Sequence, residues 1–364
     1  MKIDIISIDF YPYMGIDRSA LIELSAGLVK RGHDVMVHTT PYLLNRSWKL
    51  PAEDNVAGVK VRIYRLYPGY IFFPHVRDSD VVHLYRFGGL YFYIQSFLHS
   101  REKLITTLVG EEVISYHKLR NKLFGHLILN RARKIIAVNA KEANFLHDIY
   151  KIDREKIEII WDVGVPESSL REPSDNFPEI DLVRRLLTKT YFIRVARIVP
   201  FKEIEFGIKL VSKMEGVYFV VVGPPENRGY YEQLKRIARD LNVSDRVIFT
   251  GSVSRDAKIS LLRNARFYLL NNNEASGVAT IEAMAQGVPV LGIYYDQYND
   301  ILKDSNSIRF RTLEDALAKA NLLIKDSGLA QSLGRAGMKE VREELCFERT
   351  LDHFERIYKE VLGL

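Results

Sequence analysis

NNNEASGVATIEAMAQGVPV, residues 271–290, holds a loop, a helix and the entry to a strand. A strand-like run, Arg266–Leu270, leads into it. Residues 271–277 are small and polar. Apolar residues at helical spacing then extend from about Gly277 to Gln286. Gly287 ends the helix, and Val288–Ile293 forms a second strand-like run. Strand, helix and strand in succession imply a parallel sheet with helices on its faces.

The same alternation fills the rest of the chain. In the first half the expected strands are Ile3–Ile8, Asp34–Thr39, Val59–Arg65, Val81–Leu84, Leu104–Leu108, Lys134–Val138 and Ile157–Ile160. The first two are separated by SALIELSAGLVKRG (19–32), a helical pattern closed by Gly32. In the second half Tyr191–Val195, Tyr218–Val222 and Val247–Thr250 alternate with helices near 204–214, 230–241 and 255–264. Three helical patterns close the chain, the last near Glu348–Leu362. PESSLREPSDNFPEID (166–181) breaks the alternation with Pro, Ser and acids and no apolar period. The expected fold class is therefore α/β, with two doubly wound, Rossmann-like domains. The expected boundaries are 1–168 for the first domain, 169–185 for a linker, 186–346 for the second domain and 347–364 for a final helix.

Bulk properties bound the function. The chain has 364 residues, 47% hydrophobic and 27% charged, an ordinary globular mixture with material for two cores. The single cysteine, Cys346, cannot form an internal disulfide, so a cytoplasmic location is expected. No export signal is visible after Met1. The most apolar stretch, GLYFYIQSFL (89–98), is about half of what a spanning helix needs. A net charge of +6 is mild, and no nucleic-acid-binding motif accompanies it.

Two segments carry phosphate chemistry. In VARIVPFKEIE (195–205), Arg197 sits just past a strand and Lys202 follows across a loop containing Pro200. Ligands bind beyond the carboxyl ends of strands in open parallel sheets. A diphosphate there would be met by the forked donors of Arg and the point charge of Lys. Two solvated bases at a strand exit would look the same. In the opening stretch, Glu274 precedes the small loop Ala275-Ser276-Gly277, a helix begins, and Glu282 follows in that helix. Small residues allow close approach of a ligand to the backbone. The helix N-terminus, with Val278 in its first turn, offers free N–H groups to pyrophosphate. The flanking carboxylates are acceptors for sugar hydroxyls. Acids early in a helix are also favoured by the dipole alone.

Glu274-x7-Glu282 (the EX7E form) followed by AMAQGVPV resembles the retaining GT-B glycosyltransferases, the glycosyl transferases group 1 family. The resemblance spans nearly the whole chain. It implies two Rossmann-like domains facing across a cleft, with a C-terminal helix crossing back to the N-terminal domain; CFERTLDHFERIYKEVL (346–362) matches that helix. It implies that Arg197 and Lys202 grip the donor diphosphate, that Glu274 contacts the donor sugar and Glu282 the ribose. Backbone amides at Ser276, Gly277 and Val278 would bind diphosphate or sugar. YFVVVGPP (218–225) with Gly223, and DRVIFTGSV (245–253) with Gly251 and Val253, match the loops around the nucleotide.

FYPYMGIDRSALIELSAGLVKRGHDVMVHT (10–39) matches the family's opening strand, glycine loop and first helix. It places Gly15 by the donor phosphate and Arg18 on the acceptor side. Where the family has a second adjacent glycine, Ile16 stands. SDVVHLY (79–85) puts His83 at a family position, a second expected acceptor-side residue, although a buried strand histidine is also a common structural device. KLITTLVGEE (103–112) carries Val109 where the family often has a histidine, and Val163-Gly164 replaces its Asn-Gly.

The resemblance implies sugar transfer from a nucleoside-diphosphate sugar to a glycan or lipid-linked acceptor, with retention and no essential metal or other cofactor. Asp78-Ser79-Asp80 has the form of a metal-binding Asp-x-Asp but reads as an acidic turn at a strand entry. A dehydrogenase would show G-x-G-x-x-G after a first strand, and neither IDFYPYMG (8–15) nor ARIVPFKE (196–203) fits. A nucleotide-sugar epimerase of the same fold and a non-catalytic binding member are the competing functions. SYHKLRNKLFGHLILNRARK (115–134) interleaves bases with Leu, Ile and Phe and no acid, which suggests peripheral contact with the anionic inner face of a membrane. A core-facing helix with solvated bases fits the same pattern.

Overall fold

The structure is a computed structural model and describes residues 1–7, 16–39, 52–64, 78–85, 97–108, 126–127, 129–161, 165, 167–174, 176–272, 277–295 and 301–364. The chain divides into two compact units. The first comprises Met1–Gly164 together with Phe347–Leu364, and the second Val165–Cys346.

In the first unit the elements run β1 (Lys2–Ile6), α1 (Ile16–Lys30), β2 (Asp34–Thr39), β3 (Glu53–Val56), β4 (Val59–Ile63), β5 (Val81–Tyr85), β6 (Leu104–Leu108), β7 (Lys134–Ala137), α2 (Ala140–Tyr150) and β8 (Ile157–Ile159). The sheet order is β3-β4-β2-β1-β5-β6-β7-β8. Every described pairing in it is parallel except β3 with β4. The central strands are apolar on both faces, as sheets covered on both sides require; β5 and β6 are buried at every position. The edge strand β3 was not expected. Its EDNV sequence is polar and half exposed, and it exists because the turn at Ala57-Gly58 folds it back on β4.

The second unit runs α3 (Glu167–Leu170), α4 (Ile180–Leu187), β9 (Thr190–Val195), α5 (Glu205–Ser212), β10 (Val217–Val222), α6 (Arg228–Asp240), β11 (Val247–Gly251), α7 (Arg255–Arg263), β12 (Tyr268–Leu270), α8 (Val278–Ala285), β13 (Val290–Ile293), β14 (Ser307–Phe310), α9 (Leu313–Lys325) and α10 (Ser327–Glu343). Its strands are parallel in the order β11-β10-β9-β12-β13-β14. Phe192 stacks between Phe219 and Phe267, with centroids 4.7 and 4.9 Å away, and joins three neighbouring strands on one face.

The expected linker is different in kind. Residues 165–187 belong to the second unit: Ser169, Phe177, Val183 and Leu186 are buried there, and Glu179 binds Ser254 at the start of α7. Ile180, Val183 and Leu186 do recur at helical spacing in α4, but eight residues are too short a signal to stand out from the Pro- and Ser-rich stretch before them. The first unit correspondingly ends at Gly164 rather than 168.

The final helix, α11 (Phe347–Leu362), returns to the first unit. Leu351, Phe354, Ile357 and Tyr358 are buried with Ile3, Leu24, Leu28, Val81 and Tyr85. Arg31 reaches Glu348 at 2.6 Å and Asp352 at 2.8 Å, and Lys134 reaches Glu360 at 2.8 Å. Among the described residues, no helix is long and apolar enough to cross a membrane.

Candidate functional site

Going outward from β9, the second sheet proceeds to β10 and β11 on one side and to β12 onward on the other. The chain therefore reverses direction across the sheet between β9 and β12. In open parallel sheets a ligand crevice forms at such a reversal, beyond the carboxyl ends of the strands. Among the described residues, Arg197 and Lys202 after β9 and Gly277 at the start of α8 flank this point.

Arg197 follows β9 directly. The β9 exit lies along the β10 exit through Ala196 N–H to the Val222 carbonyl and Ile198 N–H to the Pro224 carbonyl, both 2.9 Å. Gly223 makes this approach feasible. Its φ is +146°, and a Cβ there would lie 2.1 Å from the Ala196 carbonyl oxygen. Gly223 N–H also bonds the Gly251 carbonyl at 2.9 Å, which extends the row to β11. Val253, partly buried, lies between Gly251 and Ser254, whose hydroxyl caps α7.

Arg197 Nη1 donates to Glu226 Oε2 at 2.9 Å, with the two side chains 42% and 43% exposed. An exposed pair of this kind contributes about 0–1 kcal/mol, so an arriving phosphate can take the guanidinium from the carboxylate. Glu226 was not foreseen, because GPPEN carries no pattern beyond a loop. Arg197 and Lys202 both approach the ring of exposed Phe201, at 5.9 and 5.2 Å from its centroid.

Pro200–Lys202 forms one 3-10 turn. It is tied to the exit of β12 by two buried amides. Asn272 Nδ2 donates to the Phe201 carbonyl at 3.0 Å, and Asn271 Nδ2 to the Glu203 carbonyl at 2.7 Å. Lys202 lies between those two carbonyls in sequence, so the turn that bears it is held against the chain leaving β12. Glu274 and Ser276 lie outside the described residues. Gly277, five residues after Asn272, lies at most about 17 Å from it. Gly277 has φ +59° and opens α8 with no side-chain cap. Val278 is partly buried in the first turn.

Glu282 is buried in α8 and already engaged. Lys258 Nζ donates to its two oxygens at 2.7 and 2.8 Å, and Ser169 Oγ to Oε1 at 3.1 Å. A carboxylate accepts about four hydrogen bonds, which leaves room for one hydroxyl beside these three. Neither Lys258 nor Ser169 stands out in the sequence, since each lies alone on a different helix.

In the first unit Gly15 and Val109 lie outside the described residues, as do residues 115–125 and 128 of the basic stretch. Arg18 falls in the first turn of α1, and its side chain lies outside what is described. Leu127 is exposed, and the Arg131 guanidinium sits 4.5 Å over the ring of exposed Phe97. Asp80 accepts from Lys2 N–H at 2.7 Å, which places the Asp78–Asp80 turn at the amino end of β5, on the edge opposite the strand exits.

His83 is not on an accessible acceptor face. It is fully buried, with Nδ1 2.9 Å from the Tyr358 hydroxyl and Nε2 2.7 Å from Thr107 Oγ1. Sequence alone could not show that α11 covers β5. Burial pushes the imidazole pKa down to about 3, so it is neutral in the folded protein. A depressed folded pKa gives stability that is complete above the unfolded value of 6.5 and is lost as pH falls toward 3. With about 1.4 kcal/mol per pKa unit, the window is worth on the order of 5 kcal/mol. Urea unfolding at pH 7, 5 and 4 should show a steeper loss for the wild type than for His83→Asn. Equal slopes would remove His83 from the account.

Residues 180–340 match the family described as Glycosyl transferases group 1, and residues 19–162 match Glycosyltransferase Family 4. The chain is similar to N-acetyl-alpha-D-glucosaminyl L-malate synthase of Bacillus anthracis, 22% identical over 98% of this chain and 97% of that protein. It also resembles D-inositol 3-phosphate glycosyltransferase of Mycolicibacterium smegmatis, 25% identical over 45% of this chain and 38% of that protein. In fold it is similar to Anabaena HepE in complex with UDP, with TM-score 0.79, 14% identity, and 99% and 100% of the two chains covered. Sucrose-phosphate synthase of Thermosynechococcus elongatus gives TM-score 0.75 at 16% identity, over 100% and 99% of the chains.

Proposed function

The chain belongs to the group 1 glycosyltransferases, and from that premise we propose that it transfers a sugar from a nucleoside-diphosphate sugar to a glycan or lipid-linked acceptor, with retention and without an essential metal. One observation carries the reading. The cation-bearing turn after β9 and the chain leaving β12 are bonded together at the sheet's switch point, through Asn271 and Asn272.

In the proposed reaction the bond between the anomeric carbon and the diphosphate oxygen breaks. The acceptor oxygen bonds to that carbon on the same face, and its proton passes to the departing phosphate oxygen. Arg197, Lys202 and the start of α8 oppose the charge that develops on the diphosphate. Glu274 orients the donor sugar, and Glu282 accepts from a ribose hydroxyl. Gly223, Val253 and the amides of Ser276, Gly277 and Val278 shape the nucleotide and phosphate surface. In the same proposal Gly15 meets the donor phosphate and Arg18 lies on the acceptor side, as the family resemblance implies.

A panel of nucleoside-diphosphate sugars, including UDP-glucose, tests this by calorimetry with and without chelator. One donor should bind, and Glu274→Ala should weaken it by about 10- to 100-fold, the cost of leaving a polar recognition unmade. Binding by none of the panel, or binding indifferent to Glu274, would sink the reading. Peripheral contact with anionic membrane through residues 115–134 is part of the same proposal, supported by exposed Leu127 and by Arg131 over exposed Phe97. Flotation should favour anionic over neutral vesicles; equal recovery would end it.

A further inference from the structure

We propose that Arg194, a guanidinium buried inside the second sheet, is a positioning residue of the donor site: it orients Asn272, and through it fixes the turn that carries Lys202. The inference rests on the donor-site reading above and adds to it a residue outside the expected set.

Arg194 lies in β9, among Tyr191, Phe192 and Ile193, and is wholly inaccessible to solvent. An interior strand has little reason to hold a permanent charge. Burying one is expensive, and apolar replacements of buried charges are often neutral or stabilising. Core stability alone therefore does not account for it.

What it touches does. Nη1 donates to the Tyr268 hydroxyl at 3.2 Å and to the Leu269 carbonyl at 3.1 Å. Nη2 donates to Asn272 Oδ1. The first two partners lie in β12 and the third just beyond it, across the switch point from β9. By occupying Oδ1, the guanidinium settles which way the Asn272 amide faces. Its NH2 group is then left toward the Phe201 carbonyl, 3.0 Å away. An apolar residue at 194 would remove this constraint on the orientation of the amide that the Phe201 carbonyl meets. The relay Arg194–Asn272–Phe201 thus connects the sheet interior to the Lys202 turn. Glu274 follows Asn272 by two residues in sequence. A site that stabilises charge developing on a diphosphate needs its donors fixed before the ligand arrives.

The experiment compares wild type with Arg194→Met, Asn272→Ala and the double variant. Amide hydrogen exchange is read over segments 199–203 and 271–279, and binding of inorganic pyrophosphate by calorimetry. Either single variant should speed exchange in those two segments by about tenfold or more while amides of β10 and β13 stay protected, and should weaken pyrophosphate binding similarly. The double variant should match the worse single, because both cut one relay. Unchanged exchange in the two segments, acceleration spread evenly into β10 and β13, or additive losses in the double would overturn the proposal. If the wild type does not bind pyrophosphate, the donor reading fails, and the exchange pattern decides the role of Arg194 by itself.

Discussion

Lys202→Ala should lower kcat by about 10²–10³, the effect of removing one preorganised donor from a developing oxyanion. The reason is local. The turn bearing Lys202 is held at both ends by Asn271 and Asn272, so in the proposed mechanism the backbone that carries the ammonium is in place before the donor binds. In that mechanism its attraction to the diphosphate rises as the sugar–phosphate bond breaks, so the loss should fall on kcat more than on KM. Lys202 stands on a surface turn, and thermal unfolding should move little. Arg197→Ala should cost less than Lys202→Ala, because Arg197 is two-fifths exposed and shares its guanidinium with Glu226. Steady-state kinetics on the donor identified by the calorimetric panel would check the order. An unchanged kcat for Lys202→Ala, with the fold intact, would remove the electrostatic core of the mechanism.

The second large effect is on stability. Gly223→Ala should destabilise the protein by about 3 kcal/mol or more, combining overpacking with a left-handed backbone unsuited to a side chain. The added methyl would stand 2.1 Å from the Ala196 carbonyl oxygen and 2.7 Å from its carbon, and backbone cannot swing aside as a side chain can. For a domain of this size the midpoint should fall by roughly 6–12 °C. Activity should fall further than stability, since relief of the clash moves Ala196 and therefore Arg197. Gly216→Ala is the control: its φ is also positive, at +66°, but nothing lies within 4 Å of the added carbon. A Gly223→Ala protein with a melting point near that of the control would contradict the packing described at the strand exits.

Several features are legible in the amino-acid sequence. Apolar runs such as YFVVV alternating with amphipathic segments specify parallel strands under helices, because only buried strands are apolar on both faces. The helical pattern 348–362 is equally clear, and so is the placing of Arg197 and Lys202 just past a strand and of Gly277 at a helix start. Hydrophobic period and glycine placement are properties of short windows, so a sequence displays them directly.

Other features depend on residues far apart in the chain. His83 becomes a core residue only because Tyr358 arrives on α11 to accept or donate at its ring. Residues 169–185 read as a linker until the short helices α3 and α4 pack against α8 and α7. Glu282 meets Lys258 and Ser169 from two other helices, and Arg194 finds its use only when β12 pairs beside β9. The sequence by itself determined most of the strands and helices and which charged residues stand at the strand exits, because both follow from neighbours within a few residues. The tertiary structure alone decided which polar groups are spent on one another, since a hydrogen bond depends on where two side chains end up and not on how far apart they stand along the chain.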